Sequence, residues 1–137
     1  MAFLRTTNGG ANWELQTSGT LSKLLGVFFT DTKTGVAVGE KGTSLYTSDG
    51  GASWNPQLIG ATFTLWDVGF TDAKTGTIVG QNGTILRTTD AGKTWIHHSS
   101  ESTHALYGIS FADPNTEIVV GDRGTILLTK YKKPWAW

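Results

Sequence analysis

The residues best suited to chemistry are three histidines near one glutamate: His97, His98 and His104 with Glu101. Imidazole and carboxylate groups bind zinc, but a site needs three or four converging ligands, held in place by further hydrogen bonds. A single connecting segment, residues 97–105, does not enforce that convergence. We therefore expect these side chains to be polar surface residues, and we expect neither a metal site nor a cofactor.

A second set of carboxylates, Asp49 and Asp90, lies in a motif that recurs along the chain. Residues 47–54 (TSDGGASW) return as residues 88–95 (TTDAGKTW) and, in weaker form, as residues 6–13 (TTNGGANW). The tryptophans that end the copies are 41 residues apart each time (54 − 13 and 95 − 54). Such a period indicates a repeat protein, in which a catalytic acid is rarely copied at every repeat. We interpret these acids as structural.

The motif has the composition of a tight turn. Its acid can accept backbone hydrogen bonds, its glycine permits a positive φ, and its tryptophan places a large apolar ring at the start of the next strand. The first copy carries asparagine in place of both the acid and the later hydroxyl, so we expect it to be the softest turn. The residues assigned to these turns are Asn8, Gly10, Trp13, Asp49, Gly51, Trp54, Asp90, Gly92 and Trp95.

The composition excludes several classes of protein. The 137 residues carry 11 basic and 11 acidic side chains, a formal net charge of zero that argues against a nucleic-acid or anionic-membrane surface. With no cysteine there is neither a disulfide framework nor a thiolate metal site. No apolar run approaches the ~20 residues of a membrane-spanning helix. The start, residues 1–5, has neither the basic start nor the apolar region of a signal peptide.

Between the motifs, three short segments repeat in a fixed order. A segment such as Leu24–Thr30 is followed by one apolar on both faces, such as Val36–Gly39, and then by a Gly-x-x-Gly-Thr turn typical of a hairpin. Four short antiparallel strands in about 41 residues make a β-propeller blade. We therefore predict an all-β chain of about three blades: a partial blade 3–17, blades 24–58 and 65–99, a partial blade 106–130 and an atypical tail 131–137. In that tail Tyr131 and Ala136 stand where the acid and tryptophan belong.

The cut in mid-blade has a consequence for assembly. Propellers have about four to eight blades, and an open stack of three would leave apolar blade faces in water. We infer that two chains close head to tail into a six-bladed ring, each finishing the incomplete blade of the other. A trimeric nine-bladed ring is less usual. The remaining alternative is that the chain is a piece excised from a longer propeller.

The motif Ser/Thr-x-Asp-x-Gly-x-Ser/Thr-Trp resembles the Asp-box of bacterial neuraminidase repeats. Over almost the whole chain, the repeat Leu-x-x-Val/Ile-x-Phe-x-Asp…Val-Gly-x-x-Gly-Thr resembles the photosystem II assembly and stability factor family more closely than true sialidases. The resemblance implies a non-enzymatic scaffold that binds a protein, often a membrane-protein precursor, across one propeller face. Members of that family are often exported, whereas this chain shows no signal peptide, so its compartment stays open.

The resemblance also implies where a ligand binds. In propellers of this type the Asp-box turns lie opposite the ligand face, which is built by the interblade loops, here 17–23, 57–64 and 97–105, and by the Gly-x-x-Gly turns. These positions vary while their flanks repeat, which suits recognition and equally suits unconstrained loops. The candidate binding residues are Lys23, Lys41, Trp66, Gln81, Asn82, His98, Glu101, His104, Asp122 and Arg123.

Two other functions are weighed against a protein-binding scaffold. A sialidase-like glycosidase needs a carboxylate pair or a Tyr–Glu nucleophile with several converging arginines, and the chain has only Arg5, Arg87 and Arg123. We therefore expect no enzyme activity. A carbohydrate-binding module is the alternative, resting on Trp66 and Tyr107 with the polar loop, although core packing is the simpler interpretation of both rings. The expected partners are thus a second copy and a protein or glycan ligand.

Overall fold

The computed structural model describes residues 2–130, which form thirteen strands and three single 3₁₀ turns, with no α-helix among them. Within these residues no helical turn has the length or the apolar character to cross a bilayer. The strands are β1 (Ala2–Arg5), β2 (Glu14–Thr17), β3 (Leu24–Phe29), β4 (Gly35–Gly39), β5 (Ser44–Thr47), β6 (Asn55–Pro56), β7 (Leu65–Phe70), β8 (Gly76–Gly80), β9 (Thr84–Thr88), β10 (Ile96–Ser99), β11 (Leu106–Asp113), β12 (Thr116–Gly121) and β13 (Ile126–Lys130).

The strands form four antiparallel sheets in chain order. Two are complete four-stranded blades, β3-β4-β5-β6 and β7-β8-β9-β10, and they are flanked by the hairpin β1-β2 and the three-stranded sheet β11-β12-β13. The predicted all-β fold of four-stranded antiparallel blades is confirmed. Strand β6 is only two residues long and ends at Pro56, which has no N–H to donate to a ladder. The predicted tail 131–137 lies outside the described residues.

The core lies between the sheets. Every residue of the second strands β4 and β8 is buried, as their apolar character on both faces predicts. The inner strand β3 contacts β7, and β7 contacts β11, so the blades are stacked with their first strands side by side. Phe28 and Phe70 meet across the first junction with ring centroids 5.6 Å apart. There Gln57 also donates a hydrogen bond to the carbonyl of Gly92, 2.6 Å away.

The second junction carries a buried ion pair that the sequence analysis did not predict. Arg87 Nη1 of β9 donates to Glu117 Oε2 of β12 over 2.7 Å, and both side chains are almost fully buried. Burial lowers the pKa of Arg87 to about 10, against the effect of Glu117. Burial likewise raises the pKa of Glu117, although Arg87 opposes it. In the sequence Arg87 counts only as one of three arginines, because nothing local marks Glu117 as its partner.

Candidate functional site

Three hairpin turns lie at one edge of the blades, between the second and third strands. Lys41, Asn82 and Arg123 have φ of 58°, 60° and 54°, and the glycine after each also has a positive φ. In the first turn the N–H of Thr43 donates to the carbonyl of Glu40 over 3.1 Å. Two left-handed residues inside such a bond form a type I′ turn, whose twist matches that of antiparallel strands. The turns therefore present these three side chains, all exposed, at equivalent places.

The first residue of each turn ties it to the chain just before an inner strand. The N–H groups of Glu40, Gln81 and Asp122 donate to the carbonyls of the residues that precede β3, β7 and β11, over 2.9, 2.8 and 2.8 Å. Lys23 is one of these preceding residues, and its Nζ lies 3.7 Å from Glu40 Oε1 in an exposed ion pair. Such pairs contribute little to stability. We call the surface made by the three turns and the loops beside them the turn face.

Each inner strand begins with a β-bulge at its second residue, beside the turn. The pairing register shifts around Leu25, Trp66 and Tyr107, which are equivalent in the repeat. A bulge bends the strand and re-aims one side chain. Trp66 is a binding candidate in the sequence, but its bulge is not predictable there, because the extra residue changes neither the composition nor the period. The bulges place one large side chain per blade at the turn face.

Two of these bulge residues form an aromatic pair. The rings of Trp66 and Tyr107 meet edge to face with centroids 5.3 Å apart, and Tyr107 is 47 % exposed. Asp67 fixes the strands that carry them, since its carboxylate accepts the N–H of Val68 at 2.9 Å and that of Ile109, in the next sheet, at 3.0 Å. Partly exposed aromatic rings on rigid strands are suited to anchor a peptide or a sugar.

The third predicted loop is shorter than expected. His97 and His98 lie in β10, paired with Leu86 and Ile85, so the loop begins at residue 100 and the proposed single-loop histidine cluster is wrong. Burial, together with the charge of Arg87, lowers the pKa of His98. Among residues 2–130 no group of three histidine or acidic side chains is placed to hold a metal.

The rest of that loop reaches the third turn. Glu101 is exposed in a left-handed conformation, φ 57°. His104 Nδ1 lies 3.4 Å from the hydroxyl of Thr125, the residue after the Asp122–Gly124 turn. Next to the first turn, a groove of about 550 Å³ runs between Lys41 and the loop residues Leu58 to Thr62. The turn face thus combines exposed polar side chains with shallow apolar surface.

The Asp-boxes follow the opposite ends of the third strands. Asp49 Oδ1 accepts the hydroxyl of Thr47 at 2.8 Å and the N–H of Ser53 at 2.9 Å, while the Ser53 hydroxyl donates to Oδ2. These bonds, those from Ser53 foremost, lower the pKa of Asp49 to about 2. In the next copy partial burial raises the pKa of Asp90, but the bonds from Thr94 and Thr88 outweigh it and the pKa is lowered. Both carboxylates are engaged within their own turns.

The threonine that opens each box belongs to the sequence motif, but the motif alone assigned it no role. The hydroxyl of Thr47 both donates to Asp49 and accepts the N–H of Gly51 at 2.9 Å, and Thr88 does the same with Asp90 and Gly92. A threonine at this position in all three motif copies was the available signal. The first box repeats the bonds through Thr6, although its tryptophan, Trp13, is more than half exposed.

The comparisons with known proteins agree with this architecture. The family described as photosynthesis system II assembly factor YCF48 matches residues 57–132, more than half of the chain. A solved structure described as YCF48 bound to D1 peptide is 26 % identical with a TM-score of 0.74, over 87 % of this chain and 41 % of that one. YCF48 from Cyanidioschyzon merolae is 22 % identical with a TM-score of 0.75, over 94 % of this chain and 44 % of that one.

The chain spans less than half the length of either solved relative. No curated protein matches it. The matched residues include the Gly-x-x-Gly turns at Gly80–Gly83 and Gly121–Gly124 and the Asp-box of Asp90. The chain belongs to the photosynthesis system II assembly factor YCF48 family.

Proposed function

We propose that this chain is a non-enzymatic propeller scaffold whose turn face binds an extended segment of another protein. The observation that carries the proposal is the likeness to the structure described as YCF48 bound to D1 peptide, with 26 % identity and a TM-score of 0.74. The aromatic pair Trp66 and Tyr107, rigid and partly exposed, is suited to anchor such a segment.

The turn face suits recognition better than the Asp-box edge. At the boxes, Asp49 and Thr47 use their polar atoms for bonds inside the turn, so few groups remain for a ligand. At the turn face, Lys41, Asn82 and Arg123 are exposed and only their backbones are committed to the turns. Function carried by loops and turns on a regular scaffold is the common arrangement.

A non-enzymatic role is supported by what the charged groups already do. Arg87, one of the chain's three arginines, is buried against Glu117. The repeated acids Asp49 and Asp90 accept hydrogen bonds within their own boxes. A glycosidase would need such groups to converge on a sugar. Turnover of a fluorogenic sialoside well above the blank would contradict this part of the proposal.

We further propose that the scaffold works as a closed ring built from two copies of the chain, with a three-copy ring as the less usual alternative. Support comes from apolar blade surface that stays exposed at both ends of the stack, including Val27 and Ile126. A two-fold ring would present the turn face twice. Molar mass in solution distinguishes one, two and three copies.

Binding is tested with a fluorescently labelled D1 peptide, titrated with the protein and followed by anisotropy against a scrambled peptide. We expect saturable binding that Tyr107→Ala weakens by about tenfold or more, as for a central aromatic anchor. Ile96→Ala is the matched control, because Ile96 is an exposed apolar residue on an outer strand. Absence of saturable binding by folded protein, or equal loss in both variants, would contradict the proposal.

A carbohydrate ligand is the second candidate, favoured by the same partly exposed aromatic pair, since aromatic rings also pack on the apolar faces of sugars. Binding to a glycan array distinguishes a carbohydrate ligand from a protein ligand. Glycan binding that disappears in Tyr107→Ala, together with no binding of the D1 peptide, would replace the protein-binding proposal with this one.

A further inference from the structure

The last described sheet, β11-β12-β13, exposes a residue that the other sheets bury. Val38, Val79 and Val120 are equivalent in the repeat. The first two are fully buried between blades at 0 % exposure, whereas Val120 is 45 % exposed. On β13, Ile126 and Leu128 are also exposed. This face has the composition of a blade junction but, within residues 2–130, no sheet covers it.

The first complete blade exposes the complementary surface. Val27 on β3 is 54 % exposed, while its equivalent in the next blade, Val68, is 3 % exposed. Phe29 is likewise exposed where Phe70 is buried. The β1-β2 hairpin covers only part of this surface and leaves a cavity of about 150 Å³ against Phe29 and Trp54. The two open faces thus correspond to the two sides of an internal junction.

The hairpin turns mark the same incomplete junction. A methyl group on Gly42 would collide with the carbonyl oxygen of Ala61, and one on Gly83 with that of Ser102, because each turn is seated on the interblade loop that follows it. Among residues 2–130, no atom lies within 4 Å of the equivalent position at the third turn, Gly124. None of the described residues therefore fills the place that a carbonyl oxygen takes at the other two turns. Thr20 is the residue equivalent to Ala61 one repeat earlier in the sequence.

The loop that contains Thr20 already has the conformation needed to fill this seat. The Ser18 hydroxyl donates to the carbonyl of Thr20 at 3.3 Å and accepts its N–H at 3.3 Å. Ser100 makes the same two bonds with Ser102, at 3.3 and 3.2 Å, in the loop seated on Gly83. The chain therefore carries both the open turn and a copy of the loop that seats such turns.

Strands β1 and β13 occupy the same position in the repeat, the one beside a fourth strand such as β2. In β9-β10, Arg87 pairs with Ile96. Their equivalents are Arg5 and Glu14 in the β1-β2 hairpin, which pair in the same register. Leu128 of β13 occupies the same repeat position as Arg5, and the outer edge of β13 has no paired strand among the described residues. The repeat register therefore gives β13 the same position relative to a fourth strand that β1 has relative to β2.

We propose that two copies of this chain share a blade in which β11, β12 and β13 of one copy are completed by β2 of the other, with β13 displacing the second copy's β1. The loop around Thr20 of that copy then seats on the turn at Gly124. This inference rests on the ring closure proposed above and is independent of peptide binding. Two such heterologous contacts close a six-bladed ring and bury Val27, Phe29 and Val120.

The test is light scattering behind a sizing column over a range of concentrations. We expect the wild-type chain to have twice the mass of 14.7 kDa. Gly124→Ala places a methyl group where the partner's carbonyl would sit and should weaken the dimer by at least about tenfold. Gly60→Ala is the matched control, because Gly60 has the same φ of 71° as Gly124 but only an ordinary contact, 3.7 Å from His97 Nε2. Both changes place alanine at the same φ, so a difference in dimer strength between them reports a partner contact at Gly124.

A wild-type monomer at every concentration would overturn both the ring and this arrangement. A dimer that Gly124→Ala and Gly60→Ala leave equally strong would preserve a ring but overturn the shared blade. Since a peptide-binding assay does not enter either outcome, failure of the binding proposal remains distinguishable from both.

A cysteine pair provides a second test that does not depend on a weakened fold. The chain has no cysteine, so a disulfide reports only the engineered pair. Leu128→Cys with Glu14→Cys should give a covalent dimer under oxidation, because opposite residues on paired strands lie within reach of a disulfide. Arg5→Cys with Glu14→Cys should instead lock β1 onto β2 and give a monomer that dimerises when reduced. A locked variant that stays dimeric would overturn the strand exchange.

Discussion

At the scale of single residues, the Asp-box depends on its first hydroxyl as much as on its acid. Thr47 is fully buried and bonds both Asp49 and the N–H of Gly51. We expect Thr47→Val to lower the free energy of unfolding by about 1–3 kcal/mol, since it leaves a buried N–H without a partner. Urea denaturation at fixed protein concentration measures this change in the free energy of unfolding.

The matched control for that change is Thr6→Val. Thr6 makes the same bonds, but its turn is exposed enough for water to replace the lost hydroxyl. We therefore expect Thr6→Val to lower the free energy of unfolding by less than Thr47→Val does. Equal losses at Thr6 and Thr47 would show that burial does not set the cost.

The low pKa of Asp49 predicts a loss of stability in acid. Its folded pKa of about 2 lies below the unfolded value of about 3.9. Its contribution is therefore present above about pH 4 and disappears as the pH falls toward 2. In Asp49→Asn the thermal midpoint should be lower at pH 7 and should converge with the wild-type value near pH 2. Parallel curves across this range would contradict the assignment.

The residues that the sequence predicted are those whose role is local. The acid of each box could be placed from its neighbours, because a turn bond needs only a few residues. The bulge at Trp66 and the bond from Ile109 to Asp67 could not, because they depend on how adjacent strands and sheets pair. His98 was misplaced for the same reason, since only its pairing with Ile85 shows that β10 extends that far.

At the scale of elements, the type I′ turns contain a conflict between sequence and backbone. Lys41 and Arg123 adopt a left-handed conformation that Asn82 tolerates more readily. We expect Arg123→Asn to raise the free energy of unfolding by roughly 1 kcal/mol or less, and Asn82→Lys to lower it by a similar amount. Chemical denaturation of both variants shows whether each change raises or lowers the free energy of unfolding. Destabilisation by Arg123→Asn would indicate that the arginine side chain stabilises the fold directly.

The buried ion pair between β9 and β12 makes a different prediction. Removing one partner, as in Glu117→Gln, leaves a buried charge without its counter-charge and should cost about 3–5 kcal/mol. The double variant Arg87→Met with Glu117→Leu should recover much of that loss, because neither charge remains. Urea denaturation of the single and double variants measures these changes in the free energy of unfolding. A double variant worse than either single change would contradict a charge-based explanation.

Element order was more predictable than element partners. The 41-residue period fixed four strands per blade, and the structure has two such sheets. The ion pair between Arg87 and Glu117 joins residues 30 positions apart in different sheets. Position 117 is glycine in the other two repeats, at Gly35 and Gly76. That departure was visible in the sequence, but its partner follows only from the stacking of blades.

At the scale of the whole molecule, the proposed ring and the proposed binding surface involve the same side of the blades. The stacked blades align their turns on one side, where Trp66 and Tyr107 also lie. If two copies close a ring, the turn face of each copy continues onto the other and a ligand meets a two-fold repeat. A ring of shared blades would also pair the edge of β13 that no strand covers among residues 2–130, since an unpaired edge is a site for unwanted pairing.

The most direct test of this account is the molar mass of the unmodified chain in solution, measured by light scattering across a range of concentrations. We expect twice the chain mass of 14.7 kDa, with the dimer persisting on dilution into the micromolar range. A folded species of 14.7 kDa at all concentrations would contradict it.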